Sequence, residues 1–135
     1  MRVLGLDIGE KRVGLAVSDP MGWNAHSYSV MQRSSEEKEF LYLKNVCKEM
    51  EIMQLVVGLP KNMDGSIGFR GEATFAFIEE LKKLTTLPII TWDERLSTVS
   101  AIKSLNETNT RGKKRKEVVD TVAAMYILQN YLDSI

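Results

Sequence analysis

Residues 3–18, VLGLDIGEKRVGLAVS, contain two apolar runs, Val3 to Ile8 and Arg12 to Ser18, separated by a short polar link. The link, Gly9-Glu10-Lys11, has the length and the glycine of a tight turn, so the segment predicts a β-hairpin of two strands. Alternate positions of the first run are apolar on both faces, which is typical of a central strand covered on each side. Asp7 interrupts one of these faces and is therefore expected to point into the protein.

The segments after the hairpin predict further strands and helices. A third strand is expected at Ala25–Gln32, after a turn. From Ser34, which together with Glu37 resembles a capping box, the apolar period changes to that of a helix. This helix would place one stripe of residues on the core: Phe40, Leu43, Cys47 and Met50.

The rest of the chain continues to alternate between the two patterns. We predict a strand at Leu55–Leu59, a helix carrying Phe77, Ile78, Leu81 and Leu84, a buried strand at Pro88–Trp92, a helix capped by Ser97 or Thr98 and carrying Ala101, Ile102 and Leu105, a loop at Arg111–Lys116, and a last helix from Glu117 to Leu132. The order predicts one α/β domain over residues 1–135. Its sheet would be mixed and five-stranded, three antiparallel strands followed by parallel ones, flanked by helices.

Composition excludes several classes of function. The single cysteine, Cys47, allows no intramolecular disulfide and no cysteine-based zinc site. The lone histidine, His26, gives no support to a Ser/His/Asp or Cys/His nucleophilic site. The N-terminal apolar run meets Asp7 too early for a signal peptide, and no apolar stretch is long enough for a membrane span, so a cytoplasmic protein without membrane partners is expected.

Three acidic residues stand in apolar surroundings. Asp7 lies in the first strand, Glu94 directly follows a predicted strand, and Asp120 shares a helix face with apolar residues. A buried carboxylate needs a cation, hydrogen-bond donors or a proton. Mg²⁺ or Mn²⁺ would satisfy a cluster of three, because hard cations prefer oxygen ligands, and two such ions can support phosphodiester hydrolysis.

Each acid also has a purely structural interpretation. Asp7 could cap the adjacent turn, Glu94 could pair with Arg95, and Asp120 could pair with Lys116 one helical turn earlier. Structural ion pairs occupy such positions about as often, so each acid alone leaves both interpretations open. The three acids together favour the metal site.

Four blocks of sequence resemble the YqgF (RuvX) family. Gly5 to Asp19, GLDIGEKRVGLAVSD, is similar to its opening motif, and Val57 to Pro60 with Met63 to Ser66 is similar to its central loop. Trp92 to Thr98, WDERLST, resembles its second acidic block, and Lys114 to Ala124 resembles its last helix. Four blocks in order along nearly the whole chain are far more specific than any one of them.

The resemblance implies a ribonuclease H-like fold in which Asp7, Glu94 and Asp120 bind the metal. It also implies a cytoplasmic bacterial nuclease. Family members are regarded either as Holliday junction resolvases or as nucleases that mature the 5′ end of pre-16S ribosomal RNA. We favour the second activity on precursor RNA, with branched DNA as the alternative substrate.

Several polar residues are candidates for binding nucleic acid. The strongest are Lys113, Lys114 and Arg115, because this basic strip directly precedes the helix that carries Asp120. The central loop could offer amides and hydroxyls to a phosphate, although such loops are more often only turns. The complete set is Lys11, Arg12, Asn62, Asp64, Ser66, Arg95, Lys113, Lys114 and Arg115.

Other functions remain open at this stage. A resolvase would need two active sites related by symmetry and hence a homodimer, whereas a ribosomal RNA nuclease could act as a monomer. The chain could also be a nucleic-acid-binding module with little catalysis, but 18 basic residues balance 18 acidic ones, which makes a pure binding role less attractive. Gly5 and Gly14 could either let a sugar-phosphate backbone approach Asp7 or serve local backbone geometry.

Overall fold

The computed structural model describes residues 1–96, 99 and 112–135, without the side chains of 113–115. Its strands are β1 (Arg2–Ile8), β2 (Arg12–Ser18), β3 (Ala25–Gln32), β4 (Ile52–Leu59) and β5 (Ile89–Asp93). Its helices are α1 (Glu36–Glu49), α2 (Phe69–Lys82), a short 3₁₀ helix (Glu94–Leu96) and α3 (Lys113–Ser134). The predicted helix after Ser97 or Thr98 lies outside the described residues.

The strands form one five-stranded sheet in the order β3-β2-β1-β4-β5. β2 is antiparallel to both β1 and β3, whereas β4 is parallel to both β1 and β5. The hairpin, the central position of β1 and the mixed five-stranded sheet are thereby confirmed. The carboxyl ends of the parallel strands β1, β4 and β5 lie at the same end of the sheet, which we call the site end. Their last residues are Ile8, Leu59 and Asp93.

The core face is the side of the sheet covered by α1 and α2. Leu4, Leu6 and Ile8 of β1 point to this side and are at most 3% exposed. Phe40 and Leu43 of α1 pack on them together with Phe77 of α2. Burial of large aliphatic and aromatic side chains supplies most of the stabilising free energy here.

The site face is the opposite side, covered by α3. Val3, Ala16 and Val56 of the sheet pack here against α3 residues such as Ala124 and Leu128. A Cβ on Gly5 would lie 2.8 Å from Leu128 Cβ and 3.2 Å from the Ala124 carbonyl oxygen. Helix α3 thus fills the space above this glycine, and the hypothesis that Gly5 opens the sheet to a sugar-phosphate backbone is wrong.

The start of α1 differs from its prediction by one residue. The N-cap is Ser35, whose Oγ accepts a hydrogen bond from the Lys38 amide at 3.3 Å. The Ser34 amide instead donates to the buried Glu39 carboxylate at 2.8 Å, and Arg33 pairs with the same oxygen at 2.7 Å. Ser34 precedes the helix, and the Glu39 carboxylate satisfies its N–H.

Three further structural predictions were wrong. The strand predicted as buried is β5, which is half-buried because it lies at the sheet edge with β4 as its neighbour. Leu84 lies beyond the end of α2 and is 61% exposed. The predicted loop Arg111–Lys116 is helical from Lys113, since lysine and arginine favour helix even where no apolar face marks one.

In the described part of the chain, no helix is both long and apolar enough to span a membrane.

Candidate functional site

Asp7 lies near the site end of the central strand and is 4% exposed. In the hairpin register it stands opposite Gly14 of β2. It shares the site face with Val3 and Gly5, because residues two apart on a strand point to the same side. The prediction that Asp7 points into the protein is confirmed.

Asp120 lies on α3 directly above the hairpin. A Cβ added to Gly14 would come within 2.2 Å of the Asp120 carbonyl oxygen, so α3 packs on β2 backbone to backbone at this point. The Asp120 side chain forms an ion pair with Arg12, whose Nε donates to Oδ2 at 2.6 Å. Each of these two side chains is 16% exposed. One partner of Asp120 is therefore Arg12 of the adjacent strand.

Glu94 approaches the same region from the other side of Asp7. It begins the 3₁₀ helix after β5 and is only 2% exposed. Its Oε2 lies 3.1 Å from the position that a Cβ of Gly58 would take. Gly58 pairs with Trp92 and follows Val57, which pairs with Leu6 of β1. Glycines on both strands next to β1 thus make room for Asp120 and for Glu94.

The three predicted acids therefore belong to one face and one end of the sheet. Their oxygen atoms are the donors that Mg²⁺ and Mn²⁺ prefer. Their placement, however, does not match a ligand set: among the described residues, no three His, Cys, Asp or Glu side chains converge closely enough to hold a metal ion. Asp120 Oδ2 accepts a short hydrogen bond from Arg12 in this arrangement.

Residues 61–66, the second part of the central loop, are closed into a turn by their own hydrogen bonds. The Asn62 amide donates to the Ser66 carbonyl at 2.9 Å, and the Ser66 amide and hydroxyl both donate to Asp64 Oδ1. These hydrogen bonds from Ser66 hold the pKa of the Asp64 carboxyl below its usual value. The loop thus has a defined conformation, and its contact with phosphate stays a prediction.

Arg95 joins this loop to the end of β5. Its guanidinium donates to both carboxylate oxygens of Asp93, at 2.8 Å for the shortest bond, and Nη1 donates to the Met63 carbonyl at 3.4 Å. The Arg95 bond holds the pKa of the Asp93 carboxyl below its usual value. Lys61 Nζ lies 3.7 Å from the same carboxylate. The suggested pairing of Arg95 with Glu94 was wrong, since its carboxylate partner is Asp93.

The remaining predicted nucleic-acid contacts are placed only in part. Lys11 is exposed in the hairpin turn beside Arg12. The basic strip Lys113–Arg115 forms the first turn of α3, which carries Asp120 two turns later, but its side chains lie outside the described part. Its role in binding stays a prediction.

A family model described as "RuvX: Holliday junction resolvase" matches residues 1–134. The chain belongs to the RuvX family. A relative from Desulforamulus reducens is 48% identical over 134 residues, covering 99% of this chain and 98% of the relative. Another from Clostridium acetobutylicum is 47% identical over 135 residues, covering both chains completely. Both relatives carry the name "Putative pre-16S rRNA nuclease". The resemblance of the four sequence blocks to this family is confirmed.

Solved structures support the fold of this RuvX-family chain. Thermus thermophilus RuvC in complex with a Holliday junction substrate matches with a TM-score of 0.59 at 12% identity, covering 99% of this chain and 94% of RuvC. The fowlpox virus Holliday junction resolvase matches with a TM-score of 0.53 at 12% identity, covering both chains completely. At such identity the likeness concerns the fold alone. The expected ribonuclease H-like architecture, shared with RuvC, is confirmed.

Sequence reasoning missed two arginines beside the site. Arg33 Nη1 donates to the Gly9 carbonyl at 2.8 Å, and Arg70 Nη2 donates to the Ile8 carbonyl at 3.1 Å. They hold the backbone at the end of β1, next to Asp7. Arg70 could have been suspected, because it stands in the first turn of α2 just after the family-like loop. Arg33 had no such signal, since its role depends on the register of β3 against the hairpin.

Proposed function

We propose that this RuvX-family protein is a metal-dependent endonuclease that hydrolyses phosphodiester bonds in 5′-end maturation of pre-16S ribosomal RNA. The observation that carries the proposal is the position of Asp7. It is a buried carboxylate on the central strand, with Gly14 and Gly58 on the flanking strands leaving room for Asp120 and Glu94. Burying a carboxylate is unfavourable in free energy, so such a group is found where it is needed for stability or for chemistry.

The names of the relatives support the choice of RNA. Proteins almost half identical along the whole chain are named for pre-16S ribosomal RNA. We accordingly propose that the protein acts in the bacterial cytoplasm, where that precursor is matured. Resolution of four-way DNA junctions is the second candidate, because the matching family model is described by that activity.

We assign Asp7, Glu94 and Asp120 to the catalytic site and propose two Mg²⁺ or Mn²⁺ ions as the cofactor. Such ions, when bound, lower the pKa of a water molecule and neutralise charge that develops on phosphate oxygens. Two features of the chain support the assignment: the three side chains share one face of the sheet, and the ligand type suits hard cations. Asp120 would have to leave Arg12 to act as a ligand.

The test compares two substrates under three metal conditions. Purified protein is incubated with pre-16S RNA that carries its 5′ extension and with a four-way DNA junction, each with Mg²⁺, Mn²⁺ or EDTA. We expect metal-dependent cleavage of the RNA. Asp7→Asn should lower the cleavage rate at least about a hundredfold, which corresponds to about 2.7 kcal/mol of lost transition-state stabilisation.

A matched control uses the same chemical change away from the site. Asp133 is exposed near the end of α3, where it accepts a hydrogen bond from Gln129, and Asp133→Asn should cleave at the wild-type rate. Cleavage of the junction rather than the RNA would establish the resolvase activity. Wild-type rates for Asp7→Asn, or undiminished cleavage in EDTA, would refute the proposed mechanism. Binding of either substrate without cleavage would identify a binding module.

A further inference from the structure

Two large apolar side chains are exposed beside the site end of the sheet. Met63 of the central loop is 93% exposed, and Phe69, the first residue of α2, is 78% exposed. These are the highest values among the large apolar side chains that the structure describes. Single exposed apolar residues are common on protein surfaces, but two such extremes at one place favour a binding surface.

The segments that carry these two side chains are in contact. Met63 follows Asn62, and Phe69 follows Gly68. A Cβ added to Gly68 would lie 3.1 Å from Asn62 Oδ1. The same Asn62 side chain donates a hydrogen bond to Ser66 Oγ at 3.0 Å, which fixes its direction within the loop. Met63 and Phe69 therefore belong to one surface.

This surface adjoins the strand that carries Asp7. Arg70 follows Phe69 in the first turn of α2, and its Nη2 donates to the Ile8 carbonyl at 3.1 Å. Ile8 directly follows Asp7 at the end of β1. Because this hydrogen bond ties the first turn of α2 to the end of the strand, Phe69 lies close to the carboxylate on which the proposed activity depends.

The fold itself does not use the ring of Phe69. Successive residues of an α-helix are about 100° apart around its axis, so Phe69 lies about 200° from Gly71. Gly71 belongs to the face of α2 that packs on the sheet, and Phe69 points away from that face. The buried residues of α2 are Gly71, Thr74, Phe77, Ile78 and Leu81. Most of the Phe69 ring stays in water, where it adds little to stability.

We propose that Phe69 stacks on an unpaired base of the substrate, with Met63 as a second apolar contact, so that the site selects single-stranded RNA. The inference rests on the proposed nuclease function and names the form of RNA on which it acts. An aromatic ring has no affinity for a phosphate, but it stacks on a base whose face is free. The flexible thioether of methionine adapts to the shape of such a partner.

The first measurement is the affinity of the full chain for a single-stranded RNA about 12 nucleotides long, and for the same strand annealed to its complement. Fluorescence anisotropy in EDTA reports binding without cleavage. Phe69→Ala should weaken single-strand binding about tenfold and duplex binding less than about twofold, because paired bases cover each other's faces. Phe69→Trp should stay within about threefold of wild type. Phe69→Leu, which keeps apolar area without a ring, should weaken single-strand binding at least about fivefold.

Phe75 provides a matched control on the same helix. It is 40% exposed and lies six positions further along α2, away from the site end. Phe75→Ala should bind both RNAs like wild type, although it loses the same ring. Phe69→Ala should keep the wild-type slope of log affinity against log salt, because no charge is removed. Its melting temperature should stay close to that of wild type, because the substitution is at the surface.

The second measurement identifies the stacked base. Each base of the single strand is replaced in turn by an abasic residue. In wild type, one abasic position should weaken binding about tenfold. In Phe69→Ala, the same position should change affinity less than about twofold, because the ring that the base contacted is gone. Met63→Ala should weaken single-strand binding about threefold, since it loses only the second contact.

The outcomes distinguish this inference from the function on which it rests. Unchanged single-strand affinity in Phe69→Ala, equal weakening for single strand and duplex, or an undiminished abasic effect in Phe69→Ala would overturn the stacking. Because all these measurements are made in EDTA, they do not depend on cleavage. The expected binding pattern without cleavage of any RNA would support the inference and refute the nuclease function. Failure of wild type to bind either RNA would overturn both proposals.

Discussion

The two faces of the sheet differ in how they pack against the helices. On the core face, β1 presents Leu4, Leu6 and Ile8 to α1 and α2, and large side chains fill the layer between sheet and helices. On the site face, β1 presents Val3, Gly5 and Asp7 to α3. Small residues here let one helix approach the sheet closely, so that backbone rather than side chains fills part of the layer.

This difference separates stability from chemistry within one sheet. Side chains on the core face repack around small changes at moderate cost, because they meet other flexible side chains. The site face has less freedom where a strand meets the backbone of α3, as at Gly14. The close approach also sets the height of Asp120 above the strand that carries Arg12. Rigidity on this face thus keeps Asp120 and Arg12 within hydrogen-bonding distance.

The largest effect is expected for Gly14→Ala. The new Cβ would lie 2.2 Å from the Asp120 carbonyl oxygen, which is backbone and can move only if α3 moves. We expect the free energy of unfolding to fall by more than about 4 kcal/mol, the size reserved for severe strain, and the Arg12 pair to be displaced. Urea denaturation measures the loss. A decrease below about 1 kcal/mol would show that α3 is not held against β2.

An intermediate effect is expected for Leu43→Ala on the core face. Leu43 is 1% exposed and packs between α1 and the sheet, so its truncation leaves a cavity. We expect a loss of about 3 kcal/mol in the free energy of unfolding. Cleavage per folded molecule should match wild type, because Asp7 and Asp120 lie on the opposite face of the sheet. Reduced activity at a temperature where the variant is fully folded would contradict the separation of the two faces.

The smallest effect on stability is expected for Gly58→Ala. The new Cβ would meet Ile127 Cδ1 at 2.4 Å, Ile127 Cγ1 at 3.1 Å and Glu94 Oε2 at 3.1 Å, which are side-chain rather than backbone atoms. We expect a loss of about 1 to 2 kcal/mol in stability. Cleavage should fall by a factor on the order of ten, because Glu94 must shift. If stability falls as far as in Gly14→Ala, the distinction between side-chain and backbone neighbours is wrong.

Local pattern predicted most of the fold and part of the site. The hairpin, the strand Ala25–Gln32 and the mixed sheet were predicted correctly, because alternation and turn residues act over a few neighbours. The burial of Asp7 and Glu94 followed from the apolar runs around them. Boundaries were less predictable: the cap lies at Ser35, while the Ser34 amide donates to Glu39, a contact that no spacing rule contains.

The sequence by itself determined where most strands and helices form, that Asp7 and Glu94 are carried into the interior, and the family to which the chain belongs. Only the tertiary structure decided what those carboxylates meet. Arg12 and Asp120 lie 108 positions apart, and they pair because the hairpin register and the packing of α3 bring them together. Periodicity is a property of neighbouring residues, whereas an ion pair between a strand and a distant helix depends on how closely the whole layer packs.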